Sequence, residues 1–537
     1  MNEPIFRGQA DSFLTEPYMP ETGLIAPPAA TVRADEDLAD RMASAKPPQV
    51  VLFDLDECLN VRFPSGKAAP FADTLCLAAH RACLILHTDS EEAAARLPEF
   101  ADRHNIWDAT LCVPYEKRSL LPGLRAAMPL SRGMLDMRTV TLPEDPIILP
   151  KRCQNAEATM ILIDTVPARA YMDSLRRRFL QVWLEGSAVD AVCCGACGLL
   201  TEDTGAYYSL LGRLPERSVT RPPLLFAHKG YHNTGEYPEN SIAGVEAAGR
   251  LGYDAAEIDV TMSSDGVLLL QHDHHTEKLF TEKRFITQTP WEELKKLRRR
   301  AFPSYGLDRF KDLMVRMRSY PETPVLIEIK TPLDTYLAEE AVRRMRDILS
   351  REDVQKCPTC IMGIMPPGLD YIHKHLPGVP VAHCTWNRGE EPTADTRENS
   401  LRLYRFARET AGANAGFDPY HRNIGMDFIR LAHLRGITVF PWTLAFEAWE
   451  DAQQSITESY LSGCDALTSD WVEKFSHIPV DLIARKDGSA DALLRNGTRI
   501  PAEQISRIPL DETCRFLCAA RFPLPTDKDL YLLSRPV

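Results

Sequence analysis

Ala256-Glu257-Ile258-Asp259-Val260 sets two carboxylates two residues apart in an otherwise apolar run. In a strand, residues i and i+2 share a face, so both acids point the same way. Val325-Leu326-Ile327-Glu328-Ile329-Lys330 repeats the device, with Glu328 and Lys330 in the same relation. Working outward, Leu224-Leu225-Phe226-Ala227 runs into His228-Lys229-Gly230, and the apolar run 267–270 runs into Gln271-His272-Asp273. Ionisable groups therefore gather where apolar strands end. Further strand-like runs at 359–363, 379–383, 438–440 and 466–468 bring the number to eight, with helical patterns such as 241–251, 337–349 and 427–434 in the gaps. Eight is the number that closes a parallel barrel. No Gly-rich strand-to-helix turn favours a doubly wound open sheet. The fold class expected is α/β, with a (β/α)8 TIM-like barrel over residues 222–475.

In such a barrel the shared face is the interior, where an unpaired charge is costly. Three carboxylates converging there, Glu257, Asp259 and Glu328, suit a hard divalent cation such as Mg²⁺ or Ca²⁺. A buried ion pair with Lys229 or Lys330 accounts for either strand taken singly. A lone histidine at a strand end is commonly structural, and His274 and His275 read as loop residues. The ordered set is stronger than its parts, because catalytic groups in these barrels collect at the carboxyl ends of the strands.

The series His228-Lys229-Gly230, Pro238-Glu239-Asn240-Ser241, Glu257-Ile258-Asp259, Asp265-Gly266, His272-Asp273 and Glu328-Ile329-Lys330 resembles the glycerophosphodiester phosphodiesterase family. Trp442-Thr443, Asp465 and Thr468-Ser469-Asp470 extend the likeness. The resemblance implies an enzyme that hydrolyses glycerophosphodiesters to sn-glycerol 3-phosphate and an alcohol. It implies that Glu257, Asp259 and Glu328 hold Mg²⁺ or Ca²⁺, with Glu239 a further ligand or the neighbour of one. His228 and His272 become the acid/base pair, and Lys229, Lys330 and Trp442 bind substrate and its phosphate. Lys229 stands where the family has Arg, which keeps the charge and loses the bidentate fork. His232, in the loop that follows, is placed to intrude on the site. The basic run within 276–321 (Lys295, Lys296, Arg298, Arg299, Arg300) reads as a solvated face on an insert beside the site. A lysophospholipase D-like activity and a non-catalytic barrel that binds a phosphorylated ligand are the alternatives.

Residues 49–221 alternate strand-like runs (50–55, 82–86, 109–113, 134–137, 160–163, 180–183 and 191–193) with amphipathic segments, which is parallel α/β patterning. Their order mirrors the second half: 82–129 parallels 325–377, and 175–201 parallels 434–468. A diverged internal repeat is expected, its first copy a degenerate or partial barrel without the catalytic motifs, serving packing or homo-oligomer formation. Residues 1–48 read as an arm and 476–537 as a small β-rich appendage. Phe53-Asp54-Leu55-Asp56 resembles the opening of a dehalogenase-type phosphatase but lacks that family's later motifs. Cys194/Cys197 and Cys357/Cys360 have no companion ligands for zinc and read as structural thiols.

The chain of 537 residues carries a net charge of −13 and shows no basic face, which argues against a nucleic-acid partner. No apolar run approaches the length of a transmembrane span. Fourteen cysteines with no secretory signal fit a reducing compartment, so a cytoplasmic location is expected.

Overall fold

The computed structural model describes residues 17–534 apart from 80, 107, 331–334, 356–357, 359, 364–365, 378, 386–415, 444–447, 486–488 and 511–515. The first half forms β1 (Ala29–Arg33), β2 (Val50–Leu55), β3 (Asn60–Arg62), β4 (Ala68–Pro70), β5 (Cys83–Thr88) and β6 (Thr110–Pro114). It continues with β7 (Arg132–Asp136), β8 (Met160–Ile163), β9 (Gln181–Glu185) and β10 (Gly198–Leu200). Eight of these run parallel in the order β1-β10-β9-β8-β7-β6-β5-β2, and β1 pairs back onto β2. The ring expected to be degenerate or partial is closed.

Two of its strands were not read from the sequence. Ala29–Arg33 lies in the segment taken as an arm, and Gly198–Leu200 is only three residues long. Residues 191–193, read as a strand, belong instead to the helix Ala188–Cys194. Ser187 caps that helix, its Oγ accepting from Asp190 N, and Gly195 at φ +75° ends it. A seven-residue helix this apolar carries too little periodicity to tell from a strand.

After β11 (Ser218–Val219), the second ring comprises β12 (Leu224–Ala227), β13 (Ala255–Met262), β15 (Val325–Ile329), β16 (Cys360–Gly363), β17 (Val381–Thr385), β18 (Gly416–Pro419), β19 (Thr438–Val439) and β20 (Ala466–Ser469). The Trp442–Thr468 bridge closes it. The expected number of ring strands holds, with one member exchanged. The run at 267–270 is β14 (Leu268–Leu270), an antiparallel hairpin partner of β13 outside the ring. The ring strand missing from the sequence reading is Gly416–Pro419, whose glycine and proline disguise it as a turn.

The two rings share one register. Thr31 faces Val50 as Phe226 faces Ala255; Asp54 faces His87 as Asp259 faces Glu328. The sixth and seventh strands pair Met160 with Gln181 and Gly416 with Thr438. The eighth pairs Leu200 with Glu185 and Thr468 with Trp442. Followed round both rings, the pairings return to the start without a slip. The antiparallel hairpin recurs too, with Leu55 opposite Val61 and Val260 opposite Leu270. The mirrored order of 82–129 and 325–377 holds. Residues 189–191, matched to 464–466, lie in a helix where the latter enter β20. The register also sets Trp183 against Phe440, two residues from Trp442.

The rings meet at the amino ends of their strands. Phe179, which precedes β9, is buried inside the second ring among Leu224, Phe226, Ala255 and Phe440, its ring centroid 4.6 Å from that of Phe440. Leu434, at the matching turn before β19, is buried inside the first ring with Ala29, Val50, Cys83 and Met160. Between the two plugs, Gln181 Nε2 donates to Thr438 Oγ1 at 2.8 Å, and these residues are themselves register equivalents. Buried charges flank the contact: Arg177 and Arg495 both pair with Asp254 at 2.9 Å. Each ring thus stops the base of the other and leaves its carboxyl-end mouth on the far side.

The appendage is β-rich, as expected. β21 (Asp481–Ala484), β22 (Ala490–Leu493) and β23 (Arg499–Pro501) form one sheet. β24 (Ile505–Pro509), β25 (Phe516–Pro523) and β26 (Asp529–Ser534) form another with β11. Alternation along β25 and β26 sends Leu517, Ala519 and Leu533 to the first core and Ala520, Phe522, Leu530 and Leu532 to the second.

Removing the plug should uncouple the pair. Phe179→Ala is expected to destabilise the chain by about 3–5 kcal/mol in urea denaturation, the usual cost of emptying a buried phenylalanine site. A change below about 1 kcal/mol would show that the second ring closes its own base.

Candidate active site

Glu257, Asp259 and Glu328 project into the second mouth from the adjacent strands β13 and β15, all three buried. One carboxylate oxygen from each lies within 4.8 Å of the others, and among the described residues no other such group of three or more acids, histidines or cysteines occurs. Glu257 Oε1 and Asp259 Oδ1 are buried without a hydrogen-bond partner. Burial and the charges of Asp259 and Glu328 push the Glu257 carboxyl well above its ordinary range. Lys330 pairs with Glu328 and stands 3.6 Å from Asp259 Oδ1. That lysine leaves the two orphaned oxygens unsatisfied. A hard dication suits this donor set, which consists of oxygens alone.

Backbone geometry fixes the trio. Lys229 and Gly230 follow β12 with positive φ (+53° and +79°). This turn aims Lys229 N at Glu257 Oε2, 2.8 Å away. A side chain at Gly230 would press on the backbone of Gly244 and Val245, which is why the motif ends in glycine. Asn240, also at positive φ, donates from Nδ2 to Asp259 Oδ2 at 2.7 Å and accepts the Asp259 N–H at 2.9 Å. Ser241 Oγ then caps the helix Ile242–Leu251 by accepting from Gly244 N. Arg299 tethers this loop by donating to Asn240 O at 2.9 Å, with its guanidinium 4.9 Å from the Phe280 ring. The basic run read as a solvated face therefore contains one buried structural arginine.

His228 Nε2 lies 3.9 Å from Glu257 Oε2, and its Nδ1 lies 2.9 Å from Asp470 Oδ1. His232 reaches the same oxygen through Nε2 at 2.9 Å, so this loop residue does enter the site, as its position suggested. Despite burial, the charges and hydrogen bonds of both histidines hold the Asp470 carboxyl far below its usual range. His272, at the end of the β14 hairpin, is partly exposed and bonds Asp273 Oδ1 through Nδ1 at 2.8 Å. Burial notwithstanding, Lys330 foremost, with Lys229 and the Asn240 hydrogen bond, holds the Asp259 carboxyl below its usual range. Glu239 stands apart from the trio, 3.7 Å from Lys229 Nζ. Trp442 is half-buried, its ring 5.1 Å from that of Tyr420. Sequence reasoning quoted Asn240 and Asp470 within motifs but gave neither a role, since only the fold shows which side chains they hold.

Residues 228–474 match the model of the glycerophosphoryl diester phosphodiesterase family. This part of the chain belongs to that family. A glycerophosphodiester phosphodiesterase of Caldanaerobacter subterraneus subsp. tengcongensis is 23% identical over 253 residues, 46% of this chain and 93% of that one. One from Bacillus subtilis is 22% identical over 249 residues, 44% of this chain and 79% of its own length. Among solved structures, an Oleispira antarctica phosphodiesterase in complex with sn-glycerol-3-phosphate aligns at 21% identity with a TM-score of 0.38. That alignment covers 47% of this chain and 95% of the other.

A cation held by the buried carboxylate trio would stabilise the mouth. Saturating Mg²⁺ or Ca²⁺ is expected to raise the melting temperature, with about 2.7 kcal/mol of stabilisation at a hundredfold excess over Kd. Glu257→Gln should remove the response, as read by differential scanning calorimetry with and without EDTA.

Proposed function

We propose that the second ring is a divalent-cation-dependent glycerophosphodiester phosphodiesterase, releasing sn-glycerol 3-phosphate and an alcohol. The observation that carries this reading is the buried trio Glu257, Asp259 and Glu328 beside a histidine anchored to a buried aspartate. A site that only bound a phosphorylated ligand would need no such anchored imidazole.

Glu257, Asp259 and Glu328 would hold Mg²⁺ or Ca²⁺. A bound ion would polarise the phosphodiester oxygens and screen the negative charge that repels an attacking nucleophile. Asp470 accepts the Nδ1 proton of His228, which leaves Nε2 with its lone pair on the side of the trio. From there His228 takes the proton of the attacking hydroxyl. His272, held through Nδ1 by Asp273, is the partner that protonates the leaving alkoxide. Lys229 and Lys330 keep positive charge at the phosphate, and Glu239 steadies Lys229 rather than binding the ion. Asp470 acts through His228, so its role is positional.

The test is release of sn-glycerol 3-phosphate from glycerophosphocholine and glycerophosphoethanolamine, with Mg²⁺, Ca²⁺ or EDTA. His228→Ala should abolish release. Asp470→Asn should lower kcat on the order of 10²–10⁴-fold with KM little changed, and Asp470→Glu should restore part of the loss. Folded protein inactive on both substrates with every metal would refute the assignment.

A further inference from the structure

We propose that the first ring's mouth is a former cation site in which the imidazole of His87 has taken over the place of the metal. The inference rests on reading Glu257, Asp259 and Glu328 as cation ligands, and the shared register identifies their counterparts. Glu257 corresponds to Leu52, Asp259 to Asp54 and Glu328 to His87. A set with three negative charges becomes one with a single negative and a single positive charge.

The replacement is built into the mouth. His87, nine-tenths buried, lies with Nδ1 2.7 Å from Asp54 Oδ1. Its Nε2 has no hydrogen-bond partner and is aimed at Asp136 Oδ2, 3.4 Å away, an electrostatic contact. Burial opposes its charge, but Asp136 and Asp54 outweigh that and push its pKa up to about 9. The imidazole is therefore cationic at neutral pH, between carboxylates of β2 and β7.

Arginines extend the alternation. Arg62 donates to Asp54 Oδ1 at 2.8 Å, Arg138 pairs with both Asp136 and Glu185, and Arg33 reaches Glu185 at 2.9 Å. Fixed positive charges thus cross-link β1, β2, β5, β7 and β9 at the end where the second ring gathers its ligands.

The acid/base groups have gone with the metal. His228 corresponds to Arg33, whose guanidinium cannot accept a proton near neutrality. His272 corresponds to Phe63 through the hairpin pairing, and Asp470 to Glu202. Of the three ligand positions only Asp54 keeps its carboxylate, while Glu202 keeps one at the position of Asp470. An arbitrary polar rim would not place an imidazolium at the register position of a metal ligand. It would not set an apolar side chain at the register position of a second ligand either.

The experiment counts Mn²⁺ bound per chain by equilibrium dialysis, alone and after the double change Leu52→Glu/His87→Glu, with circular dichroism to confirm folding. The proposal expects the double variant to bind about one more ion than the unchanged chain. Asp54→Asn in the otherwise unchanged chain should leave the number as it was. The increment is independent of the second mouth: were the unchanged chain to bind none, the phosphodiesterase reading would fail and this test would stand. Loss of an ion on Asp54→Asn, or no gain in a folded double variant, would overturn the proposal. Should the double variant not fold, the Asp54→Asn result decides by itself.

Discussion

The carboxylates of Glu257, Asp259 and Glu328 repel one another away from water, and the second mouth is arranged around that repulsion. Lys229 N holds Glu257, Asn240 holds Asp259, and Lys330 pairs with Glu328 and stands near Asp259 as well. The oxygens left over face one another. A buried charge without a partner costs several kcal/mol. A proton on Glu257, whose carboxyl is pushed well above its ordinary range, or a bound cation would relieve the repulsion. The tight turn at Lys229 and Gly230, the positive φ of Asn240 and the buried Arg299 all serve to hold acids together that would otherwise separate.

The first ring meets the same constraint in another way. It keeps the strand count, the register and the hairpin, and it removes the repulsion by changing side chains. Leu52 and His87 need no external ion, and the charges that remain alternate in sign. One register therefore carries two electrostatic solutions, one open to a cation and one closed within the chain. The base-to-base contact joins them: Phe179 and Leu434 fill reciprocal holes, and the sheet from β24 to β26 lines both cores.

Much of the second ring could be read from residues because apolar strands there end in ionisable groups of fixed spacing. Period-two spacing put Glu257 and Asp259 on one face of a strand and Glu328 with Lys330 on one face of another. The barrel reading with the family resemblance brought the three acids together. Gly416–Pro419 was not legible, since its composition is that of a turn, and β14 passed for a ring strand because a hairpin arm is equally apolar. The first ring was harder. Its opening strand follows a Pro- and Ala-rich lead-in, and its eighth is three residues long, so closure rests on long-range pairing that no local pattern records. Asp470 lies 242 residues from the histidine it holds, a relation only the folded ring creates. Leu52 and His87 look unremarkable in sequence and acquire meaning from the residues they replace.

The most direct test is an anomalous difference map from crystals of the unchanged chain soaked in Mn²⁺. The account predicts a peak among Glu257, Asp259 and Glu328 and none between Asp54 and Asp136. A peak beside His87, or an empty trio in an otherwise well-ordered second mouth, would contradict it.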